Sequence, residues 1–144
     1  MKRLSLLLAV LLAAAGALTA CSGGPTNTPT VPAASTSAAN YTNVSPSQLN
    51  AMLANKDFLL VNVHIPYYGE LAQTDLFIPY NTIGDSLTLL PDKQAKIVLY
   101  CRSGSMSTIA ANTLVGAGYT NVFNLEGGMY AWQTAGYQLI QKPQ

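Results

Sequence analysis

Three short apolar runs organise the chain: residues 58–63 (Phe-Leu-Leu-Val-Asn-Val), 97–100 (Ile-Val-Leu-Tyr) and 122–125 (Val-Phe-Asn-Leu). Runs that are apolar at nearly every position predict strands buried on both faces of a parallel sheet. The stretches between them have helical spacing. Ser45 and Pro46 supply an N-cap and a first helical position for a segment in which Leu49, Met52 and Leu53 share a face, broken at Asn55-Lys56-Asp57. A second helix is predicted over residues 107–117, with Ile109, Ala110, Thr113 and Leu114 on one side and Gly116 and Gly118 at its end. A third covers residues 129–134 and holds Trp132, which is read as a core filler. Residues 64–74 are too rich in Gly, Tyr and Pro for a helix. Leu76-Phe77-Ile78 and Pro79-Tyr80-Asn81 lead back into the sheet, residues 85–90 predict one or two helical turns, and Pro91-Asp92-Lys93 turns the chain. Alternation at this spacing predicts an α/β fold of three layers, a mainly parallel central sheet flanked by helices with right-handed crossovers.

The N-terminal forty residues have a different pattern. Met1-Lys2-Arg3 is a basic head and residues 4–17 are a Leu/Ala-rich run, too short to span a bilayer comfortably. It closes on Leu18-Thr19-Ala20-Cys21, which resembles the lipobox of bacterial lipoproteins, whose cysteine is lipidated and becomes the first mature residue. The expected organisation is a lipoprotein signal peptide over residues 1–20, a lipidated Cys21 with a flexible tether over residues 21–40, and a folded domain over residues 41–141. From residue 22 to 40 the tether is Ser, Gly, Pro, Thr, Asn and Ala, with Val31 its one large apolar residue and no charge, a composition that cannot offset its own ordering entropy. The expected location is extracytoplasmic, held to the membrane through the lipid.

Composition then narrows the chemistry. Losing Lys2 and Arg3 takes the 7 basic residues to 5 against 6 acidic ones, and no basic patch remains, so nucleic acid is not an expected partner. The chain has 2 cysteines, Cys21 and Cys101. With Cys21 lipidated, Cys101 has no partner within the chain and is a free thiol to be explained.

Cys101 ends the 97–100 run and opens the loop Cys101-Arg102-Ser103-Gly104-Ser105-Met106 before a helix. A strand-loop-helix junction of this kind points backbone N–H groups inward at the positive end of the helix dipole, where an anion or a thiolate is held. Arg102 adds a positive charge, and Gly104 permits positive φ. Parallel sheets bind ligands at the carboxyl ends of their strands, where Cys101 sits. Two readings stand: a small buried apolar residue, or a nucleophile.

Two separated blocks carry a family resemblance: Cys101-Arg102-Ser103-Gly104 after a hydrophobic strand, and residues 121–132 (Asn-Val-Phe-Asn-Leu-Glu-Gly-Gly-Met-Tyr-Ala-Trp), closing with Ala135-Gly136-Tyr137. Over residues 44–139 the chain resembles a single-domain rhodanese-like protein of the sulfurtransferase superfamily. The resemblance implies that Cys101 attacks the sulfane sulfur of thiosulfate or a polysulfide, carries it as a persulfide and passes it to a thiol or cyanide. It implies Arg102, Ser103, Gly104, Ser105 and Met106 as substrate-binding residues, and neither a metal nor an organic cofactor. His64, Tyr67 and Glu70, with Tyr68 beside them, are candidate pocket-wall residues, or the aromatic residues of this loop simply pack.

The departures from the family pattern are specific. Met106 stands where a second arginine is common, and Asn62-Val63-His64 stands where Asp-Val-Arg is usual. Met106 either weakens the attraction for thiosulfate in favour of a less charged donor or packs over the helix start. His64, the single histidine, reads either as a base or as a side chain satisfied by its loop. The alternative function is a non-catalytic binding or sensing module on the same fold. A cysteine phosphatase would place arginine six residues after the cysteine and histidine just before it, where this chain has Ser107 and Tyr100. A thiol–disulfide oxidoreductase lacks its second nearby cysteine.

Overall fold

The computed structural model describes residues 40–142. Cys21 and the whole proposed leader lie outside the described residues. Five strands form one parallel sheet in the order β1-β5-β4-β2-β3: β1 (Thr42–Val44), β2 (Leu59–Asn62), β3 (Leu76–Phe77), β4 (Ile97–Tyr100) and β5 (Val122–Leu125). The helices are α1 (Pro46–Leu53), α2 (Ser105–Gly116) and α3 (Gly128–Thr134).

The strand period of two divides the apolar positions between two cores. Along β4, Ile97 and Leu99 face α2 with Val61, Ala110, Ala111 and Leu114, while Val98 and Tyr100 face α1 and α3 with Leu49, Leu60, Met129 and Trp132. All four β4 residues are buried, as expected of a strand covered on both faces. The three-layer parallel α/β architecture read from the sequence is the one observed.

Several local expectations are corrected. α2 begins at Ser105 rather than at residue 107, because Gly104, at φ 95°, turns the chain directly into the helix. Ile109 is 51 % exposed, and the buried stripe runs through Ser107, Ala110, Ala111 and Leu114, so the helix is rotated toward Ala111 from the expected face. β1 is a strand that the apolar pattern does not predict: only Val44 of its three residues is buried, so it lacks an apolar run. The turns expected over residues 85–90 are two 3-10 turns, Ile83–Asp85 and Leu87–Leu89.

Two local devices fix the ends that matter. Ser45 caps α1 reciprocally with Gln48: the Gln48 N–H donates to Ser45 Oγ and the Ser45 N–H to Gln48 Oε1, an arrangement worth about 1 kcal/mol. Tyr100, immediately before Cys101, is fully buried, and its hydroxyl accepts from the Leu71 N–H at 3.1 Å and meets Thr74 Oγ1 at 2.6 Å. Thr74 Oγ1 donates to the Leu71 carbonyl at 2.7 Å, so the proton between the two hydroxyls comes from Tyr100. Burial pushes the Tyr100 hydroxyl far above its ordinary pKa, which keeps it a donor at every physiological pH.

Candidate active site

Cys101 leaves the end of β4 with its residue 1 % exposed. The Gly104 N–H donates to Cys101 Sγ at 3.1 Å. Ser107 Oγ lies 3.5 Å from the same sulfur and donates to the Gly104 carbonyl at 3.0 Å, a carbonyl that also accepts the Thr108 N–H. Gly104 is the N-cap of α2 and no side chain caps that helix. The positive end of α2 is therefore left for the sulfur and whatever it carries.

The loop is braced by the distal block. The first residues of α3 donate to it through Met129 N–H to the Cys101 carbonyl at 2.9 Å and Tyr130 N–H to the Arg102 carbonyl at 3.0 Å. Gly127 and Gly128 have φ of 69° and 57°, and a Cβ on Gly128 would stand 2.2 Å from the Cys101 carbonyl oxygen and 2.9 Å from the Arg102 carbonyl carbon. Only a bare backbone fits between α3 and the cysteine loop. A cavity of about 500 Å³ adjoins the loop, lined by Asn43, Ser103, Gly104, Ser105, Thr108, Asn124, Glu126 and Gly127.

On the other flank the loop meets the segment after β2. Asn62 is fully buried; its Nδ2 donates to the Gly69 carbonyl at 3.1 Å and its Oδ1 accepts the His64 N–H at 3.0 Å. His64 Nδ1 lies 3.3 Å from Met106 Sδ, a bonding contact in the tautomer that carries its proton on Nδ1. Burial first, and the Arg102 charge second, hold His64 below its ordinary pKa, so the ring is neutral around neutral pH.

The structure thus brings together Cys101, Arg102, Ser103, Gly104, Ser105, Met106 and His64. It sets Tyr67 and Glu70 apart: they line a second cavity of about 250 Å³ with Thr74, Asp75, Leu76, Phe77 and Lys142. Glu70 is buried there with Lys142 Nζ at 2.5 Å, and the Tyr67 hydroxyl accepts the Lys142 N–H. Tyr68 rather than Tyr67 reaches the cysteine loop, its ring 5.5 Å from Arg102 Cζ, and Tyr130 lies at 5.2 Å from the same atom. Tyr130 and Ser107 join the site with no local sequence signal for this role. Asn124, the one polar residue in an otherwise apolar strand, lines the cavity beside the loop.

A cysteine cradled by a backbone loop at the carboxyl end of a central parallel strand, facing an uncapped helix start, defines a class of proteins that hold anions or carry groups on sulfur. Within that class, this chain belongs to the rhodanese-like domain family, whose model matches residues 61–135. A sulfurtransferase of Allochromatium vinosum is 34 % identical over 102 residues, covering 67 % of this chain and 92 % of that protein. A rhodanese-like domain protein of Staphylococcus aureus superposes with a TM-score of 0.59 at 27 % identity, covering 70 % of this chain and 99 % of that one. A tRNA uridine(34) hydroxylase of Erwinia tasmaniensis is 33 % identical over 90 residues, covering 58 % of this chain but only 26 % of that larger protein.

Proposed function

We propose that this protein is a sulfurtransferase that moves sulfane sulfur from thiosulfate or a polysulfide, through a Cys101 persulfide, to a thiol or cyanide. The observation that carries the reading is the Gly104 N–H donated to Cys101 Sγ at 3.1 Å, inside a loop that α3 braces through two backbone hydrogen bonds. In the first half-reaction the Cys101 thiolate attacks the outer sulfur of thiosulfate. A new S–S bond forms, the S–S bond of the donor breaks, and its electron pair leaves on sulfite. In the second, a thiolate or cyanide attacks the outer persulfide sulfur and the pair returns to Cys101. The charge moves by one sulfur atom in each step, and N–H groups at the start of α2 are placed to follow it.

Arg102, Ser103, Gly104, Ser105 and Met106 form the donor side of this site, with His64 neutral beside Met106. The family membership and the sulfurtransferase relative support the class of reaction. The extracytoplasmic, lipid-anchored part of the proposal rests on the sequence alone: the basic head, the apolar run and Leu18-Thr19-Ala20-Cys21.

Purified, reduced full-length protein given thiosulfate and cyanide is expected to release thiocyanate, and Cys101→Ser to release none. No thiocyanate from the wild type with thiosulfate or polysulfide would leave the domain as a binding or sensing module. For the anchor, Cys21→Ala is expected to move the protein out of the membrane fraction. Unchanged fractionation would remove that part of the proposal.

A further inference from the structure

Arg102 is the only arginine between residues 40 and 142. Its guanidinium carbon lies 5.5 Å from the Tyr68 ring centroid and 5.2 Å from that of Tyr130. The two rings come from unrelated parts of the chain, the segment after β2 and the first turns of α3. Both are substantially exposed, at 43 % and 47 %, so neither ring is there to fill the core. Each is tied at its backbone: Gln141 Nε2 donates to the Tyr68 carbonyl and the Tyr130 N–H donates to the Arg102 carbonyl, both at 3.0 Å.

A long arginine side chain on a surface ordinarily samples many rotamers, and two fixed rings restrict it by cation–π attraction. Rings pack against the guanidinium through its faces and leave N–H groups at its edge for an oxyanion. The other loop position that could supply a cation holds Met106, bonded to a neutral His64. Arg102 is therefore the cation of the cysteine loop, and two tyrosines set where its guanidinium lies.

We infer that Tyr68 and Tyr130 are positioning residues that hold the Arg102 guanidinium beside the cysteine loop as an anion-recognition element, selecting a donor that carries an oxyanion. The inference rests on the sulfurtransferase reading for the identity of the donor, and its test is separable from turnover.

Thiosulfate binding is measured by calorimetry on the full-length Cys101→Ser protein, alone and with Tyr68→Leu, Tyr130→Leu, both, or the two Phe replacements. The paired Leu variant is expected to weaken binding about tenfold and each single variant about threefold, while the Phe pair stays within about twofold because the ring faces are kept. With Cys101 intact, alkylation at Cys101 is read by peptide mass using iodoacetate and iodoacetamide. Each forms the same S–C bond and expels iodide, and they differ in charge. The iodoacetate-to-iodoacetamide rate ratio is expected to fall in the Leu pair and to hold in the Phe pair. Thiosulfate binding unaltered by the Leu pair, or absent from Cys101→Ser altogether, overturns the inference. Equal loss of both alkylation rates also overturns it, since the tyrosines would then support the loop rather than its charge. Binding that follows the tyrosines in a protein that transfers no sulfur would sustain the inference while the transferase reading fails.

Discussion

The loops after β4 and β2 leave neighbouring strands of one sheet, and they are held by different means. The loop carrying Cys101 is fixed by backbone: Gly104 N–H on the sulfur, Met129 and Tyr130 N–H groups on the Cys101 and Arg102 carbonyls, and glycine where a side chain would collide. The loop carrying His64 is anchored by backbone only at its two ends, Val63 to Tyr100 and Glu70 to Ile140, and between them it is fixed by side chains: Asn62 bridges the Gly69 carbonyl and the His64 N–H, His64 rests on Met106, and Gln141 reaches back to Tyr68. Backbone contacts survive most substitutions, whereas side-chain contacts change with each one. The cradle for sulfur is therefore the less substitution-sensitive part of this site outside its glycines, and the donor-facing rim holds the departures from the family pattern, Asn62, His64 and Met106.

The largest effect is expected from breaking the backbone-held side. Gly128→Ala puts a methyl into the Cys101 carbonyl at a positive φ, and is expected to cost about 3 kcal/mol in denaturant unfolding. Displacing the loop by a fraction of its size is expected to slow persulfide formation about a hundredfold. Gly136→Ala, also at positive φ but with nothing within 4 Å, is the control: about 1 kcal/mol of strain and unchanged sulfur loading. Comparable loading in both variants would refute the bracing role of the distal block.

The side-chain-held region gives the next effect. Asn62→Asp loses the donor to the Gly69 carbonyl and sets a carboxylate against that oxygen in a buried site, a loss of about 2 kcal/mol. Adding His64→Arg is expected to recover part of it, because the pair then restores the Asp-Val-Arg pattern common in the family. A double-mutant cycle in unfolding free energy measures the recovery, and strict additivity would show the two positions to be independent.

Met106→Arg adds a second cation to the rim and is expected to lower the thiosulfate KM about fivefold with little change in kcat. An unchanged or higher KM would assign Met106 to packing alone. The smallest effect concerns acid. Since His64 lies below the ordinary histidine pKa in the fold, the unfolded chain takes up the proton first as pH falls. Its contribution to stability is full above about pH 6.5 and is lost as pH drops through the depressed value. The wild type is expected to lose more stability than His64→Gln between about pH 7 and about pH 5, and parallel curves would contradict the assignment.

The sequence made the sheet legible because its central strands are apolar on both faces, a pattern that admits few alternatives. Cys101 and Gly104 were legible for a related reason: a small, polar loop between a buried strand and a helix has to expose its N–H groups somewhere. Side-chain partners were not, since nothing local distinguishes Tyr67 from Tyr68 until the segment after β2 is placed; one points to Lys142 and Phe77, the other to Arg102. β1 escaped because an edge strand with one buried residue carries little pattern. Ile109 misled because helical spacing fixes which residues share a face, and Ala111 shows that small residues can define the buried one.

The most direct test of sulfur carriage at Cys101 is the intact mass of reduced full-length protein after a single exposure to thiosulfate and, separately, to polysulfide, beside Cys101→Ser. The account predicts a one-sulfur adduct in the wild type only, discharged by an added thiol. An intact, reduced wild-type protein that takes up no sulfur from either donor, or an adduct that persists in Cys101→Ser, would contradict it.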